Sequence, residues 1–192
     1  KGAIPGLLSD SLGINFDQSV GHDFLEDVDD RYEHYHRVEE RTPFDIEILN
    51  KITKGGIPRK SMTVLLATTG GGKSLLKCHM AANHLMYGKN VLYITMEMAA
   101  EEIGRRIDAN IMDITLDEVA EVPRDVFEKR MARYKTKTTG KLVIKEFPTG
   151  SAHSGHFRHL LNELKLKKNF TPDVIFLDYL NICSSARVKG AA

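Results

Sequence analysis

The hydrophobic pattern of the chain changes character part-way along. Near the start, Phe24, Val28 and Tyr32 recur at helical spacing among acidic residues, which predicts an amphipathic helix of about 17 residues. Further on, short apolar runs alternate with segments of helical periodicity, a pattern typical of a parallel sheet covered by helices on both faces. We therefore divide the chain into a linker segment, residues 1–42, and an α/β domain, residues 43–192.

Four apolar, β-branched runs predict the strands of this sheet. The first is Met62 to Ala67, after the turn signal KGGIPRK, and the others lie in NVLYITME, KLVIKEF and DVIFLDYL. Helices are predicted from Lys73 to about Tyr87 and in AAEEIGRRIDANI, PRDVFEKRMARY and HFRHLLNELKLKK. Thr115 and Glu118 have the spacing of a capping box at the start of a further helix.

Composition adds a few limits to this picture. The chain has 192 residues, of which 42% are hydrophobic and 28% charged, as in an ordinary globular domain. No apolar run approaches the roughly 18 to 20 residues of a bilayer span, and no leader pattern opens the chain. We expect a cytoplasmic protein with no membrane segment. Because the first residue is Lys1 rather than methionine, we also expect a processed chain or a piece of a longer polypeptide.

The stretch ATTGGGKS, residues 67–74, carries the most informative chemistry. A strand that enters a glycine-rich turn and then a helix is the context of a phosphate-binding loop, because glycines let backbone N–H groups approach phosphate oxygens. The lysine would reach the β and γ phosphates, and the serine hydroxyl would ligate Mg²⁺. Ala67 stands where the general pattern has its first glycine. The residues expected to bind ATP are Thr68, Thr69, Gly70, Gly71, Gly72, Lys73, Ser74, Leu75 and Asp178.

Two carboxylates follow predicted strands and extend the site from nucleotide binding to hydrolysis. Asp178 ends VIFLD, where an acid can hold Mg²⁺ at the carboxyl edge of a parallel sheet. Glu97 ends LYITME and can act as the general base for the attacking water. A turn acid at 178 and a helix N-terminal acid at 97 are the simpler alternatives.

Several motifs resemble those of the DnaB-type hexameric replicative helicases, whose motor domain has the RecA-like fold. ATTGGGKS, YITMEMAAEEIGRR and VIFLDYL resemble the family in general. ILNKITKGGIP, RIDAN, FPTG and LLNELKLKKNF are similar to the replicative helicases of T-even-type bacteriophages, and the similarity covers essentially the whole chain. The resemblance implies a RecA-like P-loop NTPase domain preceded by an amphipathic linker helix.

The family's site residues carry over to five positions. The resemblance makes Lys73 the phosphate-loop lysine, Ser74 and Asp178 the ligands of Mg²⁺, and Glu97 the catalytic glutamate. It also implies that Arg106 is an arginine near the catalytic centre, although a helix-surface arginine is an equally good interpretation. Expected partners are single-stranded DNA, further copies of the chain in a hexameric ring joined through the linker helix, a primase and a helicase loader.

The resemblance also implies parts that are absent from these 192 residues. The resemblance makes VIFLD, which ends at Asp178, the Walker B strand of the family. Family members continue past this strand with further strands, DNA-facing loops and an arginine finger, so we expect a domain truncated after it. A strand would then be missing between the phosphate-loop strand and the Walker B strand, and each unpaired backbone group costs about 1 to 3 kcal/mol. We expect such a chain to be marginally stable and weakly active alone. Arg187 and Lys189, near the position of a family DNA loop, are candidate DNA contacts.

The phosphate loop and the two acids predict an ATP hydrolase, and the resemblance implies a fragment of a replicative DNA helicase motor that uses ATP hydrolysis to move along single-stranded DNA. Two alternatives remain open at this point. One is another RecA-like ATPase, such as a recombinase, which would share the phosphate loop and both acids. The other is a non-catalytic module that binds nucleotide or a partner subunit without turnover.

Overall fold

The chain divides into two compact units, Lys1–Glu40 and Arg41–Ala192, and the computed structural model describes residues 23–185. In the first unit, helix α1 (Val28–His36) has nine residues and none of them is buried. The predicted helix of about 17 residues was therefore too long. Its apolar side chains are exposed, with Phe24 at 72% and Tyr35 at 71%. A helix this short gains little from its own hydrogen bonds, because isolated helices below roughly 12 to 15 residues are marginal in water.

The second unit starts with a small antiparallel pair. Strands β1 (Arg41–Thr42) and β2 (Ile57–Pro58) pair with each other and flank helix α2 (Glu47–Ile52). The remaining elements follow in chain order: α3 (Lys73–Met86), β3 (Val91–Thr95), α4 (Ala100–Met112), α5 (Leu116–Glu121), α6 (Arg124–Lys135), β4 (Leu142–Glu146), α7 (Ser154–Lys168), β5 (Val174–Asp178) and a 3₁₀ turn (Leu180–Ile182). The predicted capping box is confirmed: Thr115 Oγ1 accepts from the Glu118 N–H, and the Glu118 carboxylate accepts from the Thr115 N–H.

The main sheet is parallel, with strand order β4-β3-β5. All five residues of β3 are buried, because β3 is the central strand and helices cover both faces of the sheet. Successive side chains of β3 point to opposite faces of the sheet, as in any β-strand. Val91 and Tyr93 pack with residues of α3 and α4, and Leu92 and Ile94 pack with residues of α7. The predicted α/β architecture, a parallel sheet with helices on both faces, is confirmed.

The predicted strand from Met62 to Ala67 is wrong in this structure. Residues 61–68 have no regular secondary structure, and the side chains of Met62 and Leu66 are 82% and 91% exposed. The reason is that a strand requires a partner for its backbone groups. Among residues 23–185 no strand lies beside β5 on the side away from β3. The segment contains β-branched residues that favour a strand, but in the described part of the chain it has no sheet edge with which to pair.

One buried titratable side chain belongs to the core rather than to a site. The His84 Nε2–H donates to the Pro43 carbonyl oxygen over 3.0 Å, and the ring stacks on Phe176 with 5.6 Å between centroids. Burial lowers the pKa of His84, although the bond to Pro43 opposes the shift. The histidine is therefore packed as a neutral ring. Among residues 23–185 no helix has the length and apolar character that a bilayer span needs.

Candidate active site

The glycine-rich loop between residue 67 and α3 has a backbone that only glycine adopts easily. Gly70 and Gly72 have φ values of 75° and 78°, in the left-handed region where a Cβ atom is unfavourable. A Cβ atom at Gly71 would lie 2.9 Å from the Ala67 Cβ. The Gly71 N–H also donates to the Thr68 carbonyl oxygen over 3.1 Å. The three consecutive glycines are thus explained by loop geometry, and side chains at these positions would obstruct a ligand.

Helix α3 begins directly at the end of this loop. Gly72 is its N-terminal cap residue, and the Leu76 N–H donates to the Gly72 carbonyl oxygen over 2.9 Å. The N–H groups of the first turn have no acceptor within a helix, and the helix dipole adds partial positive charge there. The end of this 14-residue helix can therefore bind an anion presented by the loop.

The Lys73 side chain folds back over the loop. Its ammonium donates to the carbonyl oxygens of Ala67 at 2.8 Å and Thr68 at 2.9 Å. Both acceptors are uncharged, so a phosphate can replace them with a stronger, charge-assisted interaction. The predicted phosphate-binding residues, 68–74, are thus brought together in one continuous loop and helix start.

Asp178 lies at the carboxyl end of β5 and is 1% exposed. Its carboxylate pairs with the Lys77 ammonium and accepts a 3.0 Å hydrogen bond from the Tyr93 hydroxyl. Burial raises the pKa of Asp178, but the hydrogen bonds from Lys77 and Ser74 outweigh it and give a net lowered pKa. A carboxylate with a lowered folded pKa stabilises the fold above its ordinary pKa of 3.8, and this stability is lost as the pH falls through the folded value.

Lys77 is a residue of this site that the sequence analysis missed. It lies one helical turn after Lys73, so the two side chains share a face of α3. Its side chain is only 10% exposed, and its ammonium also donates to the Leu177 carbonyl oxygen over 3.2 Å. One signal in the sequence could have revealed this residue: Lys77 lies between Leu76 and Cys78, on the inward face of the helix.

The sheet register brings the two candidate carboxylates to the same edge. Thr95, the last residue of β3, pairs with Asp178, and the Met96 N–H donates to the Asp178 carbonyl oxygen over 2.9 Å. Glu97 follows immediately and is exposed. Parallel strands end at one edge of a sheet, so Asp178, the last residue of β5, and Glu97, just beyond the end of β3, lie at the same edge.

Leu75, which follows Ser74 on α3, and Arg106 on α4 line a common cleft. Together with Cys78 and His79 they line an open cleft of about 450 Å³ between α3, α4 and α5. Burial raises the pKa of the Cys78 thiol, while the Arg106 charge partly opposes that shift. Arg106 is half-buried on α4. Arg106 lines this cleft, and its role as an arginine near the catalytic centre stays a prediction.

Two kinds of metal site can be distinguished, one built from a cluster of nitrogen, sulfur or carboxylate ligands and one from a pair of oxygen donors. Among residues 23–185 no group of three His, Cys, Asp or Glu side chains could hold a metal ion. His153 and His156 instead form a capping box at the start of α7. The Ser74 hydroxyl and the Asp178 carboxylate fit Mg²⁺, because Mg²⁺ prefers oxygen ligands and is held by few protein groups with water and phosphate. Arg187 and Lys189 lie outside the described residues.

The comparison with protein families matches residues 42–163 to the family described as "ATPase: KaiC". The chain belongs to this ATPase family. The match covers the phosphate loop, β3 and β4, and together with the parallel sheet it confirms the predicted RecA-like fold.

A curated relative adds to this assignment. The DnaB-like replicative helicase of Enterobacteria phage T4 is 46% identical to this ATPase chain over 191 residues, which is 98% of the chain. The resemblance to DnaB-type phage helicases is therefore confirmed. The chain spans 40% of the length of that helicase, and activities of a whole protein of that kind are proposals for this chain.

Proposed function

We propose that the chain is the ATP-binding and ATP-hydrolysing part of a replicative DNA helicase. The observation that carries the proposal is the junction of the phosphate loop with Asp178: α3 begins at this loop, and its Lys77 pairs with the acid that ends β5. This junction gathers an anion-binding helix end, a lysine and two oxygen donors in one place. The similarity to the phage T4 helicase over nearly the full chain supports a helicase rather than a recombinase.

Each residue has a distinct task in the proposed reaction. Lys73 leaves the carbonyl oxygens of Ala67 and Thr68 and binds the β and γ phosphates of ATP. Ser74 and Asp178 would hold Mg²⁺, because both supply oxygen donors. When bound, Mg²⁺ neutralises charge on the transferred phosphoryl group. Glu97 accepts a proton from the attacking water, a task that suits an exposed carboxylate just beyond the carboxyl end of β3.

The wider assembly is part of the same proposal. Three exposed aromatic side chains, Phe24 just before α1 and Tyr32 and Tyr35 within it, would pack on a neighbouring copy. This packing would help form a hexameric ring. Hydrolysis around the ring would drive translocation on single-stranded DNA, with Arg187 and Lys189 as candidate DNA contacts and Arg106 as a candidate group near the nucleotide. A primase and a helicase loader are further proposed partners, and the host cytoplasm is the proposed location.

Loss of the Lys73 charge tests the nucleotide-binding step. We expect Lys73→Ala to weaken the binding of an ATP analogue in the presence of Mg²⁺ by at least about 10²-fold, because two charge-assisted contacts to phosphate are lost. The measurement is a fluorescence titration with a labelled, non-hydrolysable ATP analogue. Lys168→Ala, at an exposed position in the last turn of α7, is the matched control and should bind as the unaltered chain does. Equal affinity for Lys73→Ala would contradict the proposed site.

A further inference from the structure

A buried cation lies beside the proposed metal-binding carboxylate. The Lys77 ammonium pairs with Asp178 Oδ1, and the exposed fractions of the two side chains are 10% and 1%. A second bond, to the Leu177 carbonyl oxygen at 3.2 Å, holds the ammonium at the end of β5. A charged pair this deeply buried is costly to form, because both groups lose water. Such a pair in a proposed catalytic site suggests a role beyond packing.

Both oxygens of the Asp178 carboxylate already have donors from the protein. Oδ1 contacts Lys77, and Oδ2 accepts the Tyr93 hydroxyl over 3.0 Å. A water from the Mg²⁺ shell must therefore displace one of these donors or share an oxygen with it. Displacing Tyr93 changes only a hydrogen bond, whereas Lys77 carries a charge of the same sign as the metal.

Lys73 and Lys77 of α3 differ in the acceptors that their ammonium groups contact. Lys73 rests on uncharged carbonyl oxygens and can move to a phosphate. Lys77, one turn later, rests on the carboxylate that the cation would need. Positive charges that share a carboxylate repel each other, and the repulsion is stronger in a buried site than in water.

We propose that Lys77 is a positioning residue that occupies Asp178 in place of the divalent cation when the site is empty, so that Mg²⁺ and the Lys77 ammonium compete for this carboxylate. The inference rests on the proposed function. In the empty site Lys77 holds the Asp178 carboxylate toward α3. When ATP binds, Lys77 raises the Mg²⁺ concentration that is needed for half-maximal binding of the nucleotide. The chain would thus bind Mg²⁺ tightly only together with the phosphates, which supply the compensating negative charge.

Removal of the Lys77 charge should therefore strengthen Mg²⁺ binding. We expect Lys77→Met to lower the Mg²⁺ concentration for half-maximal binding of a non-hydrolysable ATP analogue by about tenfold or more. Mn²⁺, followed by electron paramagnetic resonance without nucleotide, should also bind more tightly to the variant than to the unaltered chain. Lys77→Arg retains the charge and should keep a Mg²⁺ dependence close to that of the unaltered chain. Tyr93→Phe removes a donor to Asp178 without a change of charge and should give a smaller shift than Lys77→Met.

The outcomes separate this inference from the proposed function. If the unaltered chain binds no ATP analogue at any Mg²⁺ concentration, both are wrong. If it binds the analogue and the Lys77→Met variant has the same or a higher half-maximal Mg²⁺ concentration, the competition alone is overturned and Lys77 has only a structural role. Should Lys77→Met not fold, Lys77→Gln removes the same charge while keeping a donor for the carboxylate, and the same two criteria apply to it.

Discussion

Replacement of Glu97 by glutamine should slow ATP hydrolysis by roughly 10²- to 10⁴-fold, the contribution typical of a general base. The amide cannot accept the proton of the attacking water, although it has almost the same size as the carboxylate. ATP affinity should stay nearly unchanged, because Glu97 lies beyond β3 and outside the phosphate loop. The exposed position also makes a loss of stability small, since surface substitutions usually change stability by less than about 0.5 kcal/mol.

Phosphate release with protein in excess over ATP measures this effect, because single-turnover conditions detect even slow hydrolysis. Glu101→Gln provides a matched control, since Glu101 is an exposed glutamate in the first turn of α4. The control should hydrolyse ATP as the unaltered chain does, with and without single-stranded DNA. If Glu97→Gln retained full turnover, another group would have to activate the water. If the unaltered chain bound ATP but never hydrolysed it, the non-catalytic alternative would be favoured.

The second large effect is on stability, at the buried pair of Asp178 and Lys77. Asp178→Asn should lower the free energy of unfolding by about 3 to 5 kcal/mol, because it leaves the Lys77 ammonium buried without a counter-charge. The double variant Asp178→Asn/Lys77→Met should recover much of this loss, since no unpaired charge remains. Recovery in the double variant distinguishes a charge effect from general damage to the core.

Urea unfolding of the single and double variants measures these free energies. Asp125→Asn is the surface control: its pair with Lys129 joins side chains that are 70% and 79% exposed, and such pairs contribute at most about 1 kcal/mol. A loss at Asp178→Asn no larger than that of the control would show that the buried pair contributes little to the fold. A double variant less stable than Asp178→Asn would show that Lys77 is not the source of the loss.

The parts of the fold that the sequence predicted well depend on local patterns or on burial from both faces. Helix α3 was predicted to begin at Lys73, where the structure places its start, because glycines in left-handed conformations end one segment and allow the next to begin. Strands β3 and β5 were predicted from continuous apolar runs, which a parallel sheet covered by helices requires. Their shared carboxyl edge then followed from parallel pairing, which the register of Thr95 with Asp178 shows.

The errors arose where structure depends on partners. Met62 to Ala67 has the composition of a strand, but a strand forms only where another edge accepts its hydrogen bonds. Helix α1 has nine residues instead of about 17, because its apolar residues are exposed and helical periodicity alone does not stabilise a helix. The residue types within these two segments therefore could not show that the strand would be absent or that the helix would be short.

Lys77 was missed for a related reason. Its charged partner, Asp178, is 101 positions away along the chain, and no local pattern links the two. A lysine on a helix is most often solvated, so the pattern gave no reason to place it inside. The contact became visible only once β5 was placed beside β3 with its end near α3.

In the proposed function, a nucleoside triphosphate binds the loop at residues 68–74 together with Mg²⁺. Amide hydrogen exchange, followed with and without a non-hydrolysable ATP analogue and Mg²⁺, tests it most directly because it locates protection along the chain. We expect slowed exchange at the amides of Gly70, Gly71, Gly72, Lys73 and Ser74, with little change in α6 and α7. Unchanged exchange in that loop at saturating analogue, or protection confined to the cleft between α3 and α4, would contradict it.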